Sequence, residues 1–240
     1  AAEIVAGPPT VGSALAIIFQ AYARKFGKPR WGDKRPKYAT RLDVIRRLFP
    51  TAQFVSIVRD GRDCVASLKE QQWYRPDSHA AACTWARSVD HARRAARRLG
   101  PDSFYELRYE HLVADPEREL RALCEYLGEE YDPAMTEPSA VADIIPERKT
   151  HHTLTRGPVT GARVGTWVER LDPWEVSLCE GVLGSRLRAY GYELTGAPPP
   201  AVAARLRYAQ VALRRRLRIP VPVGRAYDWL RREPPVASRL

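Results

Sequence analysis

The chain has little that would staple it or carry it through a membrane. It holds four cysteines, Cys64, Cys83, Cys124 and Cys179, in 240 residues. None forms a C-x-x-C pair, and each sits in an apolar helical context, so they read as buried, reduced thiols rather than zinc ligands or disulfides. No metal is expected. No run of about 18 apolar residues occurs, so no stretch is long enough to span a bilayer as a helix. Met135 is the single methionine and the chain opens at Ala1. It therefore reads as a fragment or a processed product, and nothing about a leader follows from it. Acidic residues are outnumbered, 28 against 39 Lys and Arg, for a net charge of +11. That excess favours an anionic partner: nucleic acid, an acidic membrane or a small polyanion. Zinc and helix-turn-helix signatures are absent, as is basic–aromatic interleaving on strands, which counts against a nucleic-acid-binding module. A small-molecule kinase, the alternative reading, would need a Walker loop with Gly-Lys-Ser/Thr; none is present, and the segment that would carry it is expected upstream of Ala1. What is present, 45% hydrophobic and 28% charged residues, is the composition of a globular chain.

Apolar spacing at Leu15, Ile18, Phe19, Tyr22 and Phe26 predicts a helix over 13–26, closed by Gly27. A Gly- and Pro-containing loop follows over 30–38. Leu42, Ile45 and Leu48 predict a helix over 39–48, stopped by Pro50. The run Phe54–Val58 is short and β-branched, and reads as a buried strand. Gly61 permits a tight turn into a helix from Asp63 to about Glu70. Residues 79–99 form a second clear helix with Ala82, Trp85, Val89, Ala92, Ala96 and Leu99 on one face. Its Arg93, Arg94, Arg97 and Arg98 read as a solvated flank. Phe104 to Tyr109 reads as a second strand, and Pro116 to Leu127 as a helix closed by Gly128. Residues 129–165 are polar and irregular. Asp172 caps a last domain helix that begins at Pro173 and ends near Tyr190.

This alternation predicts an α/β fold, a parallel sheet with helices on both faces. Only two strands are clear, so more of the sheet is expected upstream of Ala1. Gly196 to Pro200 reads as a linker between a domain over 1–196 and a basic tail over 197–240. In the tail Val202, Leu206, Ala209, Leu213 and Leu217 make one narrow helical stripe flanked by arginines. Further on, Tyr227, Trp229 and Leu230 stand among Arg225, Arg231 and Arg232. Two readings stay open: peripheral contact with an anionic membrane through 202–232, or a stripe packed on the domain with its arginines solvated.

The stretch IVRDGRDCVASL, 57–68, organises the rest. Arg59 stands where the first strand stops, and a helix begins almost at once. Ligands of open α/β sheets collect at that edge, and a helix amino terminus favours a phosphate there. Ser67, eight positions after Arg59, can offer a hydroxyl to the same anion. The competing reading makes Arg59, Asp60, Arg62 and Asp63 a surface cluster of ion pairs of little consequence.

Four separated pieces, WGDKRPKY (31–38), IVRDGRDCVASL (57–68), RYEHLVADPERELRALCEYLG (108–128) and GARVGTWVERL (161–171), together resemble the sulfotransferases that use 3′-phosphoadenosine 5′-phosphosulfate (PAPS). The likeness is greatest to bacterial, tyrosylprotein and Golgi types, and it covers about Leu15 to Leu194. It implies a P-loop-NTPase-like three-layer sandwich. It implies Arg59 and Ser67 on the 3′-phosphate, Tyr109 at the nucleotide, Arg163 from a late Gly-rich loop, and Lys34 near the transferring group. The reaction implied moves a sulfuryl group to a hydroxyl or amine acceptor, whether glycan, lipid, small metabolite or tyrosyl peptide, in the cytoplasm. Two departures stand out. The phosphosulfate-cradling loop of the family has no counterpart, since Gly7 to Ser13 lies too close to Lys34; the isolated chain is therefore expected to be inactive. No histidine follows Lys34 as it does in cytosolic sulfotransferases, so the general base is expected upstream of Ala1, with His151 or His152 as the alternative.

Overall fold

A computed structural model describes residues 2–8, 10–36, 38–71, 74, 77–137 and 159–217. His151, His152 and the aromatic stretch 225–232 lie outside these. Two strands occur among the described residues, and they pair in parallel. β1 (Phe54–Val58) runs beside β2 (Phe104–Arg108), in register from Phe54 with Phe104 to Val58 with Arg108. The crossover between them is made by α4 (Gly61–Lys69) and α5 (Ser78–Leu99). Before it come α1 (Ala2–Ala6), α2 (Val11–Lys25), a 3₁₀ turn at Tyr38–Thr40 and α3 (Leu42–Leu48). After it come α6 (Tyr109–Ala114), α7 (Pro116–Leu127), a 3₁₀ turn at Pro133–Thr136, α8 (Trp167–Arg170), α9 (Pro173–Ala189) and α10 (Val202–Leu217).

Alternation along the strands gives the sheet two differently covered faces. Phe54 and Phe104 turn toward α5 and pack with Ala92 and Ala95. On the other face Tyr105 lies 5.1 Å, ring to ring, from Tyr126 of α7. Helix, sheet and helix make the three layers. The cover is uneven: Val55 and Ile57 of β1 are 41% and 59% exposed. The sequence predicts a strand buried on both faces, as parallel strands usually are; among the described residues β1 is half-buried, because α7 shelters the β2 side.

The larger core lies between α4, α5 and α9. Val65, Ala66, Ala81, Ala82, Trp85 and Ala86 meet Cys179, Leu183 and Leu187 there. Alanines on α4 and α5 let the two axes approach closely, and each fully buried leucine contributes roughly 1.5–3 kcal/mol. Gly61 belongs to this packing. A Cβ at Gly61 would stand 2.9 Å from the Trp85 ring, so it is ring contact, not turn geometry, that calls for glycine. The helix also starts two residues earlier than its apolar spacing suggests, because the Asp60 side chain accepts from Arg62 N at 2.8 Å and caps it. Asp77 and Asp115 cap α5 and α7 similarly, and Asp172 with Glu175 forms a capping box on α9.

α10 packs on α5 and α9. Tyr208 reaches the core, and Arg215 donates to Thr84 Oγ1. The apolar stripe is not what packs. Val202, Leu206, Leu213 and Leu217 are 72%, 65%, 55% and 71% exposed. The opposite side of the helix, with Tyr208, Val211, Ala212 and Arg215, meets the domain instead.

Candidate functional site

Arg59 stands one residue past β1 and is gripped from several directions. Its guanidinium carbon lies 4.7 Å from the centroid of the Tyr109 ring. Its Nη2 donates to the Arg163 carbonyl and sits 3.5 Å from Asp63 Oδ2. Its own carbonyl accepts from Trp85 Nε1 at 3.0 Å. The side chain is 19% exposed, yet its Nε is buried without a hydrogen-bond partner among the described residues. Arg59, Tyr109 and Arg163 therefore come together, from the end of β1, the start of α6 and the loop over 161–166.

That loop is held by Asp63, which is fully buried. Its carboxylate accepts from Gly165 N and Trp167 N, both at 2.9 Å, and meets Thr166 Oγ1 at 3.4 Å. Gly165 has φ +71°, a conformation that side chains with a Cβ rarely adopt. The Arg163 guanidinium points outward, 42% exposed, with Nη1 3.6 Å from Glu70 Oε2. Arg170 donates to Glu70 at 2.6 Å and is the chief reason that the Glu70 carboxyl is held below its usual range.

Arg62 has a different surrounding. It is buried, with Nε and Nη2 on the Asp60 carboxylate at 3.1 and 2.8 Å and Nη1 on Glu180 Oε1 at 2.8 Å. Its guanidinium lies 4.1 Å over the Trp167 ring. Glu180 also accepts from Thr195 N at 2.8 Å. Burial alone would raise the Glu180 carboxyl, but the Thr195 donors, the Ala197 N–H and Arg62 outweigh it and hold the carboxyl low. A second brace comes from Glu110, which accepts from Asp60 N at 2.9 Å and from the Tyr192 hydroxyl at 2.8 Å. The Arg-Asp-x-Arg-Asp cluster is thus largely buried.

Ser67 is half-buried on α4, and no described residue hydrogen-bonds its hydroxyl. Burial pushes the thiol of Cys64, on the same helix, up to about 12 and so favours its neutral form. Lys34 is exposed on the loop after α2. Arg30 ties the start of that loop to the Leu127 carbonyl at 2.7 Å and to Gln53 Oε1 at 2.8 Å. No described contact links Lys34 to Arg59, Ser67, Tyr109 or Arg163. Asp63 and Glu110 are the residues that motif reading overlooks. Their signals are faint: an acid four positions after the strand-end arginine, and an acid directly after the second strand-end tyrosine.

The sulfotransferase family model matches residues 10–133, just over half of the chain. An omega-hydroxy-beta-dihydromenaquinone-9 sulfotransferase of Mycobacterium tuberculosis is 32% identical over 110 residues, 40% of this chain and 28% of that protein. A protein-tyrosine sulfotransferase of Drosophila melanogaster is 25% identical over 203 residues, 79% of this chain and 40% of that protein. The chain thus spans well under half the length of these two relatives. Among solved structures, the sulfotransferase domain of the curacin biosynthetic pathway aligns with a TM-score of 0.58 at 20% identity, over 76% of this chain and 69% of that one. The corresponding domain of the Synechococcus PCC 7002 olefin synthase gives 0.57 at 23%, over 76% and 65%. At these identities the likeness is one of fold.

Proposed function

The chain belongs to the sulfotransferase family, and we propose that it works with PAPS, the end of β1 holding the 3′-phosphate while a sulfuryl group passes to a hydroxyl or amine acceptor. The observation that carries this reading is Arg59. Its guanidinium is pinned between the Tyr109 ring and the Arg163 carbonyl, with a buried Nε that no described residue satisfies. An unpaired buried N–H is costly, and a phosphate oxygen is the acceptor that suits it best. The Ser67 hydroxyl supplies a neutral donor to the same group, and the amino end of α4 favours negative charge. Tyr109 fixes the plane of Arg59. Arg163 brings its loop over the site by its backbone and leaves a second cation at the rim.

Lys34 is assigned to the charge that grows on the bridging oxygen as the sulfuryl group leaves. Such transfers depend on alignment more than on covalent help from the protein. No loop of the phosphosulfate-gripping type is read in the 240 residues, and His151 and His152 are the candidate bases within the chain. The 240 residues alone are accordingly expected to bind nucleotide without turning it over. The names of the relatives, one acting on an omega-hydroxy-menaquinone and one on protein tyrosine, favour a hydroxyl acceptor. Four unpaired cysteines support a reducing, cytoplasmic setting.

Titration calorimetry tests the donor assignment. 3′-Phosphoadenosine 5′-phosphate (PAP) should bind at least about thirtyfold more tightly than adenosine 5′-monophosphate, the equivalent of about 2 kcal/mol. Equal affinities would remove the 3′-phosphate from the proposal, and preference for ATP would favour a kinase.

A further inference from the structure

α10 uses one of its two faces for the fold, and no described residue covers the other. The inner side is fastened by Tyr208 in the core, by Arg215 on Thr84, and by Arg207, whose Nη2 lies 2.5 Å from Asp77 Oδ2. With the helix fixed in that way, Val202, Leu206, Leu213 and Leu217 cannot turn inward, and all four are more than half exposed. With Ala209 between them they fall within an arc of about 80° at the helical angle per residue. Exposed arginines stand on both rims of that arc, Arg205 and Arg216 on one side and Arg214 on the other. The helix contains no acidic residue. It is about 24 Å long, enough to lay several apolar side chains along a surface.

Single exposed aliphatic side chains are ordinary, but four large ones aligned on one helix face mark an interaction surface. We propose that this face seats α10 in the plane of an anionic bilayer, the aliphatic stripe at the acyl boundary and the rim arginines among the lipid phosphates. Charge complementarity selects this occupant. A second copy of the same helix would bring arginine rims together with no carboxylate on either helix to offset them. A bilayer rich in phosphatidylglycerol accepts both the stripe and the rims. The inference stands on α10 alone and is independent of the reaction that the chain serves.

Vesicle flotation of the full 240-residue chain tests it. The chain is expected to float with vesicles containing phosphatidylglycerol at low salt, to stay behind with phosphatidylcholine alone, and to be released as salt rises. The double substitution Leu206→Asp and Leu213→Asp, at two exposed positions, should lower the bound fraction by about tenfold or more while circular dichroism and the thermal transition stay unchanged. Arg205→Gln with Arg214→Gln and Arg216→Gln should abolish the preference for phosphatidylglycerol. A wild-type chain that remains soluble with phosphatidylglycerol vesicles overturns the proposal. So does a Leu206→Asp/Leu213→Asp chain that floats as well as wild type. A wild-type dimer in sedimentation that the same double substitution dissociates would make the occupant a second copy, and overturns it equally.

Discussion

Arg59 and Arg62 lie three positions apart and do opposite things. Arg62 is 3% exposed, with both Asp60 oxygens, one Glu180 oxygen and the Trp167 ring filling its coordination. Arg59 is only partly enclosed and keeps a buried N–H without a partner among the described residues. One arginine has spent its hydrogen-bonding capacity on the fold, and the other, in the function proposed above, keeps some for a ligand. The lesson is that a motif rich in charge divides by satisfaction: a saturated cation belongs to the scaffold, and an unsaturated one at a strand's carboxyl end is the candidate for the site. Asp63 links the two, since its buried carboxylate fixes the loop that carries both the Arg163 carbonyl beside Arg59 and the Trp167 ring beneath Arg62.

The division breaks most visibly at Arg62. Arg62→Ala leaves two buried carboxylates without their cation and should destabilise the fold by about 3–5 kcal/mol. Urea denaturation reads this directly; an unchanged midpoint would mean that the network is ornamental. Asp63→Ala comes next. It strands the Gly165 and Trp167 N–H groups, which should cost about 2–4 kcal/mol of stability and loosen nucleotide binding as the loop detaches. If only stability fell and PAP affinity held, the 161–166 loop would have no part in the site.

Acid sharpens the same contrast. The Glu180 carboxyl is held below its ordinary range, so its contribution is complete above the unfolded-state value of about 4.3 and is lost as pH falls through the lower folded-state value. Wild-type stability should therefore decline steeply below about pH 4.3, and Glu180→Gln should show a shallower decline in that window. Equal slopes would place the acid sensitivity elsewhere, for instance at Glu175, whose bonds to Lys69, Ser78 and Asp172 N outweigh its burial and hold it low as well. The smallest effect is expected at Ser67. Ser67→Ala should weaken PAP binding by about 1–2 kcal/mol and leave the thermal transition in place.

Much of the scaffold was legible because its signals are local. The capping acid Asp172, glycine stops and apolar periods locate α5, α7 and α9 within a residue or two, and the short β-branched run locates β1. Arg59 was legible too, as an arginine at a strand's carboxyl end. What stayed hidden depends on contacts across long stretches of chain. Asp63 meets residues 102–104 positions away, and Arg62 meets Glu180 across 118. Periodicity revealed the stripe on α10 but not which side the domain would take. Tyr208 decided that by entering the core from the opposite face. Lys34 shows the remaining gap: its assignment rests on resemblance, and its exposed loop makes no described contact with the rest of the site.

The most direct measurement crosses Arg59→Ala with removal of the ligand's 3′-phosphate. Calorimetry would give affinities of wild type and Arg59→Ala for PAP and for adenosine 5′-monophosphate. If Arg59 holds the 3′-phosphate, the substitution should cost about 2–5 kcal/mol with PAP and almost nothing with the monophosphate, with the urea midpoint of the variant close to that of wild type. Equal losses with both ligands, or none with either, would contradict the assignment of Arg59.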